Sequence, residues 1–185
     1  MRRSTVRILL VADTHLGFDL PFRPRIERRR RGHEFFANFD RALAPAREGR
    51  VDLVVHGGDL LYRTRVPSAL VEMALAPLVL VAQQGVPVYL VPGNHERSRI
   101  PLQLWSVHPN LHIFDHPKTY LCSLPHAQVA LSGFPFARQV ADRFRDLVAM
   151  TGWDQVRADA RLLCLHQTVE GAQVGTVNYT FRSGL

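Results

Sequence analysis

Val86-Pro-Val-Tyr-Leu-Val-Pro-Gly-Asn-His-Glu96 is the stretch that decides how this chain folds. Val86 to Val91 has the apolar, β-branched character of a buried strand. Pro92-Gly93 ends it, because proline brings no amide hydrogen to a ladder and glycine turns freely. Asn94, His95 and Glu96 are thereby presented at the strand's carboxyl end, where open α/β sheets place their chemistry. One such turn is also an ordinary Gly-Asn loop. It gains meaning because other strands end in the same way.

Val6 to Ala12 is a second continuous apolar run, and it delivers Asp13-Thr-His15-Leu-Gly17. Asp13 and His15, at i and i+2, would point the same way on an extended segment. Val51 to His56 is a third run, leading into Gly57-Gly-Asp59-Leu-Leu-Tyr62. Its two glycines permit a tight turn that leaves Asp59 at the strand end. Between these runs, Gly32 to Glu48 reads as a helix with the stripe Phe36, Phe39, Leu43 and Ala46, capped at Gly49. Pro67 to Gln84 reads as another, with Pro77 predicting a kink or a split. Short strands follow at Leu111–Phe114, Thr119–Cys122 and Gln128–Phe134. A helix is predicted over Arg138–Met150, and Arg161–Leu165 is a final strand delivering His166. Strand-like residues recur from Val174 to Phe181.

The chain has 185 residues, enough for one domain with a real core. It carries a net charge of +7, nearly all of it arginine, with Lys118 the single lysine. Guanidinium groups suit bidentate phosphate contacts, which favours a nucleic acid or phosphorylated partner. Cys122 and Cys164 lie far apart with no Cys-x-x-Cys, the usage of reduced core thiols in a cytoplasmic protein. No run is long enough to span a membrane.

Four strand ends thus carry Asp13 with His15, Asp59, Asn94 with His95, and His166. Oxygen and imidazole donors without thiolates suit Mn²⁺, Fe or Zn²⁺. A carboxylate such as Asp59 can bridge a pair of ions in two-metal phosphoester hydrolysis. Asp-x-His, Gly-Gly-Asp and Gly-Asn-His-Glu in this order resemble the calcineurin-like metallophosphoesterases. Asp13-Thr-His-Leu-Gly17 with Gly57-Gly-Asp-Leu-Leu61 resembles more narrowly the SbcD-type DNA repair exonucleases. The resemblance runs from about Ile8 to His166.

That resemblance implies an α/β fold, a two-sheet β-sandwich flanked by helices, and two divalent ions, Mn²⁺ first, with Fe or Zn²⁺ as alternatives. Asp13 and His15 would hold one ion, Asp59 would bridge, and Asn94 with His166 would hold the other. His95 would be catalytic, donating a proton to the leaving oxygen or stabilising its charge. The implied partners are DNA, an SMC-like ATPase by family analogy, and a second copy in a homodimer.

The sequence departs from the family in two places. No histidine follows His166, whereas the family adds a Gly-His-x-His motif downstream. The expectation is therefore a nuclease domain over 1–185 that lacks its last strands and final ligand motif, the N-terminal part of a longer protein. Tyr62 stands where relatives often carry the His or Asp that orients the His95-type imidazole, and its hydroxyl could take that role.

Arg63 and Arg65 follow the Asp59 turn, and Arg97 and Arg99 follow the His95 turn. All four are candidates for phosphate or DNA contact, against the plainer reading of solvated loop charge. His108, His112 and His116 would face one way on a helix, but Pro109 and Pro117 break it. His56, inside a strand, reads as a hydrogen-bonded core residue. Two further functions stay open: a phosphoesterase for small esters or cyclic nucleotides, and a non-catalytic DNA-binding or scaffold fragment.

Overall fold

The computed structural model describes residues 5–20, 31–96 and 108–168, together with the strand pairs 173–174 and 177–178. Strands β1 (Ile8–Val11), β2 (Leu53–His56), β3 (Val88–Leu90) and β4 (Leu111–Ile113) form one sheet in that order, all parallel. Helix α1 (Gly32–Arg47) joins β1 to β2, and α2 (Ser68–Gln83) joins β2 to β3. β2 and β3 are buried on both faces, so their alternate side chains serve two different cores, whereas β1 at the sheet edge exposes Leu10. Val54, Val88 and Leu90 pack with Phe39, Leu43, Leu70, Leu78 and Val81 of the helices. Leu53, Val55, Tyr89 and Val91 face the other way, onto a second sheet.

The second sheet has the order β5 (Lys118–Leu124), β6 (Ala127–Gly133), β7 (Ala160–Cys164). β5 and β6 form a tight antiparallel hairpin across Pro125-His126, and β7 joins β6 in parallel. Cys122, Val129, Leu131 and Cys164 project inward and complete the inter-sheet core with Phe114. Both thiols are free and buried, as packed residues should be. The layers are therefore helices, parallel sheet and mixed sheet, the sandwich that the family resemblance implied.

Two local expectations change. Arg138–Met150 is not one helix: a 3₁₀ turn over Val140–Arg143 precedes α3 (Phe144–Met150). Gln139 takes a left-handed φ of 51°, so the helix cannot start before it. Pro77 does not split α2, which is assigned as one span. The residue that loses its hydrogen-bond donor to Pro77 is Met73, on the helix's exposed side where water can substitute. Of Val174 to Phe181, only β8 (Gln173–Val174) and β9 (Val177–Asn178) are described, paired antiparallel; the rest lies outside the described residues. His112 sits on β4, stacked against Tyr89 at 4.8 Å, so the histidines at 108, 112 and 116 share no helical face. Among the described residues no helix is long and apolar enough to cross a membrane.

His56 closes β2 and is fully buried. Its Nδ1 accepts from the Gly58 amide (3.3 Å), which leaves Nε2 to donate to Thr14 Oγ1 (3.1 Å). The Thr14 hydroxyl passes its own proton to the Leu60 carbonyl at 3.3 Å. This relay ties the loop after β1 to the loop after β2 through a neutral imidazole. Burial, aided by His166, lowers the His56 pKa to about 3. As pH falls through 6.5 the unfolded chain takes a proton here that the folded chain refuses. Stability from this group is therefore full above pH 6.5 and declines towards pH 3. Between pH 6.5 and pH 5 this group alone should cost about 2 kcal/mol, at about 1.4 kcal/mol per unit, read by urea unfolding as the change in the difference between wild type and His56→Gln. His56→Gln should start less stable and lose less over the same interval.

Candidate metal centre

The loops after β1 and β2 continue the strands' pairing beyond the sheet proper. Asp13 N donates to Gly58 O (3.0 Å), His15 N to Asp59 O (3.0 Å) and Leu16 N to Leu60 O (2.7 Å). Along this seam Asp13, His15 and Asp59 adopt left-handed φ values of 53°, 44° and 50°. Asp and His tolerate that region better than most residues, yet each pays strain to stay there. Asp13 and His15 thus converge through two backbone reversals, not through the alternation of an extended segment. His15 Nε2 lies 4.0 Å from Asp13 Oδ1.

Asp59 is the centre of the group, with its side chain 7% exposed. Its Oδ1 accepts from the His95 amide at 3.1 Å and lies 3.5 Å from His166 Nε2. Its Oδ2 lies 3.6 Å from His95 Nε2. Burial pushes this carboxyl up, but His166 and the His95 amide outweigh it and hold Asp59 below the ordinary carboxylate value. The same contact raises His166 to about 9, with help from the Gly57 carbonyl and against burial. His166 reaches the group from the end of β7, in the other sheet, and its Nδ1–H donates to Gly57 O (2.8 Å). That bond directs Nε2 into the site, the usual outer-sphere arrangement of a ligating histidine. The approach requires glycine at 58, since a Cβ there would collide with the His166 ring.

Glu96 closes the turn after β3, and the structure gives it a specific task. It is 2% exposed. Its carboxylate accepts from Gly93 N (2.7 Å), Leu61 N (2.8 Å) and Asp59 N (2.9 Å). One side chain therefore clasps the loop after β2 to the loop after β3. Burial raises its pKa to about 7, while the three amides pull the other way. The signal was its place in Gly-Asn-His-Glu: an acid following a Pro-Gly turn, close to unpaired loop amides.

Two donor groups result: His15, Asp59 and His95, and Asp13, Asp59 and His166, each with ligand atoms within 4.8 Å of one another. Asp59 belongs to both, as a bridging carboxylate would. Asp13 pairs with His166 and His15 with His95, whereas the sequence reading put Asp13 and His15 on one ion. Asn94 stands on the same turn, half-buried between Gly93 and His95. His95 Nδ1 is buried without a hydrogen-bond partner. Tyr62 therefore does not orient that nitrogen. Its ring packs instead at the edge of the helix-side core, close to Gly17, with the Arg63 guanidinium 4.9 Å above it. Arg63 and Arg65 are exposed beside the site loop; Arg97 and Arg99 lie outside the described residues. A buried carboxylate flanked by imidazoles, an orphaned ring nitrogen and no thiolate together fit hard or borderline divalent cations.

Glu96→Gln would turn one acceptor into a donor facing backbone amides. Urea unfolding should show a loss of about 2–3 kcal/mol. Gly93→Ala places a Cβ against the Asp59 amide and Oδ1. Calorimetric titration with Mn²⁺ should show affinity reduced about 10–100-fold, as for other disturbances behind a metal ligand.

Several known proteins resemble this chain. The DNA double-strand break repair protein Mre11 of Haloferax volcanii is 38% identical over 93 residues, which cover 50% of this chain and 20% of that protein. Mre11 of Saccharolobus solfataricus is 24% identical over 170 residues, covering 89% of this chain and 42% of that protein. The chain thus matches well under half the length of these relatives. A dimetal phosphatase from Danio rerio aligns over 70% of this chain and 43% of its own, at 19% identity and a TM-score of 0.46. The model of the calcineurin-like phosphoesterase family matches residues 6–181, so nearly the whole chain is accounted for and it belongs to that family.

Proposed function

We propose that this chain is the nuclease part of a DNA-repair phosphodiesterase that uses two divalent ions, with Mn²⁺ as the working metal. The observation that carries the proposal is the pair of donor groups sharing Asp59 at the carboxyl ends of the strands. The likeness to Mre11 proteins supports DNA as substrate. The arginine-rich balance of the chain supports a phosphate backbone as the partner. Asp13, His15, Asp59, Asn94 and His166 are the residues proposed to hold the ions. When bound, such ions supply a nucleophile at neutral pH and neutralise charge on the phosphate.

The chain's own groups do the remaining work. Asp59 keeps its carboxylate oriented through the His95 amide and the Glu96 clasp. His166 is steered by Gly57 O so that Nε2 alone faces the site. His95 is proposed to hold a proton for the leaving oxygen on Nε2, the nitrogen that lies 3.6 Å from Asp59 Oδ2. Arg63, Arg65, Arg97 and Arg99 are proposed to position the phosphate backbone without reading sequence. An SMC-like ATPase and a second copy of the chain are the proposed partners.

The test sets a nuclease assay beside hydrolysis of p-nitrophenyl phosphate, with EDTA abolishing activity and Mn²⁺ restoring it. DNA cleavage is expected, and activity on the ester with none on DNA overturns the reading. His95→Ala should lower kcat on DNA about 10²–10⁴-fold; Mn²⁺ binding that persists by calorimetry assigns His95 to the leaving oxygen, and binding lost with it assigns His95 to the ion beside His15 and Asp59. Asp59→Ala should lose both cleavage and Mn²⁺ binding.

A further inference from the structure

An aromatic side chain lies exposed next to the metal-centre loop, and nothing in the roles described so far accounts for it. Phe18 is 53% exposed. Its amide donates to the His15 carbonyl at 3.2 Å, closing a turn over residues 15–18. Such a turn keeps its first and fourth Cα atoms within about 7 Å. The Phe18 backbone is therefore held close to that of His15, a proposed metal ligand.

The ring is also backed and framed. Phe35 of α1 meets it at 5.6 Å between centroids, tilted by 60°. Together with Asp19, Arg31, Glu34 and Asn38 the two rings line an open cavity of about 370 Å³. Its frame is tight. Arg31 N donates to Asp19 Oδ2 at 3.0 Å, and Arg31 pairs with Glu34 at 2.6 Å. A Cβ at Gly32 would strike the backbone of Asp19 and Leu20. A Cβ at Gly17 would strike Leu70 and Tyr62. Phe18 and Asp19 lie on the segment that follows β1, at the same carboxyl side of the parallel sheet as Asp13 and His15.

We infer that Phe18 and the cavity beneath it form a nucleobase-stacking subsite, which receives the base next to a phosphate held at the metal centre. The inference rests on the phosphodiesterase reading above. A flat apolar ring with a polar rim accepts any base by its π-face, because stacking is tolerant of sequence. Asn38 offers both a donor and an acceptor at the rim, and Arg31 adds a planar cation. In a nucleotide the base lies only a sugar away from its phosphate, which matches the short reach set by the 15–18 turn. Phe18 is thus a substrate-positioning residue, and its exposure has a purpose that packing does not supply.

The test uses the full chain with Mn²⁺ and a single-stranded deoxyoligonucleotide with hydrolysis-resistant phosphorothioate linkages carrying 2-aminopurine, whose fluorescence is quenched by stacking. Wild-type protein is expected to quench the probe. Phe18→Leu, which keeps the apolar bulk without a ring, should lose the quenching and weaken binding about tenfold. Phe18→Trp should restore both. Equal quenching by wild type and Phe18→Leu overturns the inference, as does wild-type protein that leaves the probe unquenched. Parallel assay of the same preparation on DNA with Mn²⁺ separates the two ideas. Cleavage without quenching removes the stacking subsite alone. Quenching without hydrolysis removes the nuclease reading and leaves the subsite.

Discussion

Everything at the carboxyl edge of the parallel sheet depends on one buried carboxylate accepting three backbone amides. Glu96 reaches from the turn after β3 to Asp59 and Leu61 on the loop after β2, and to Gly93 on its own turn. Loops at a strand's end have no ladder partner for their amides, and a buried unpaired amide is costly. A single acceptor with two oxygens answers three of them at once. It does so directly behind Asp59, so the central donor is held from its own main chain. Position and orientation of the site are in this way properties of the backbone first and of side chains second.

The strain in the neighbouring residues reads as the counterpart of that clasp. Asp13, His15 and Asp59 all hold left-handed backbone angles that a free chain would seldom choose. They persist because the seam of amide bonds from Asp13, His15 and Leu16 over-determines the loop. His56 and Thr14 fasten the same two loops from below with a neutral imidazole. Rigidity of this kind is what two-ion chemistry needs, since donors must already be placed when a cation arrives. The second sheet contributes one donor, His166, and its delivery depends on Gly58 leaving room for the ring.

Much of the architecture was legible in the residues. Apolar runs ending at Asp13, His56 and Val91 became β1, β2 and β3, and the stripe of Phe39, Leu43 and Ala46 became the buried face of α1. Where the reading failed, local chemistry was overruled by a neighbour. Arg138–Met150 has helical periodicity throughout, yet Gln139 turns left-handed and the first part winds only as a 3₁₀ turn. Pro77 predicts a kink or a split, and of these the split does not occur, since residues on both sides of it pack into the helix-side core. Tyr62 occupies an orienting position by alignment of motifs, yet its ring is claimed by the core beside Gly17.

The sequence alone determined the inventory: strand ends carrying oxygen and imidazole donors, no thiolate pair, an excess of arginine and an α/β order of elements. These are one-dimensional facts, set by composition, period and spacing, and they survive any detail of packing. Tertiary structure alone decided which donors share a partner, that Asp13 falls in with His166 and His15 with His95 around Asp59. It also decided that Glu96 is the clasp and Phe18 an exposed ring. Such pairings join residues up to 153 positions apart, Asp13 to His166, in two different sheets. No local period encodes them, because they are fixed only when two hydrophobic cores close on either side of one parallel sheet.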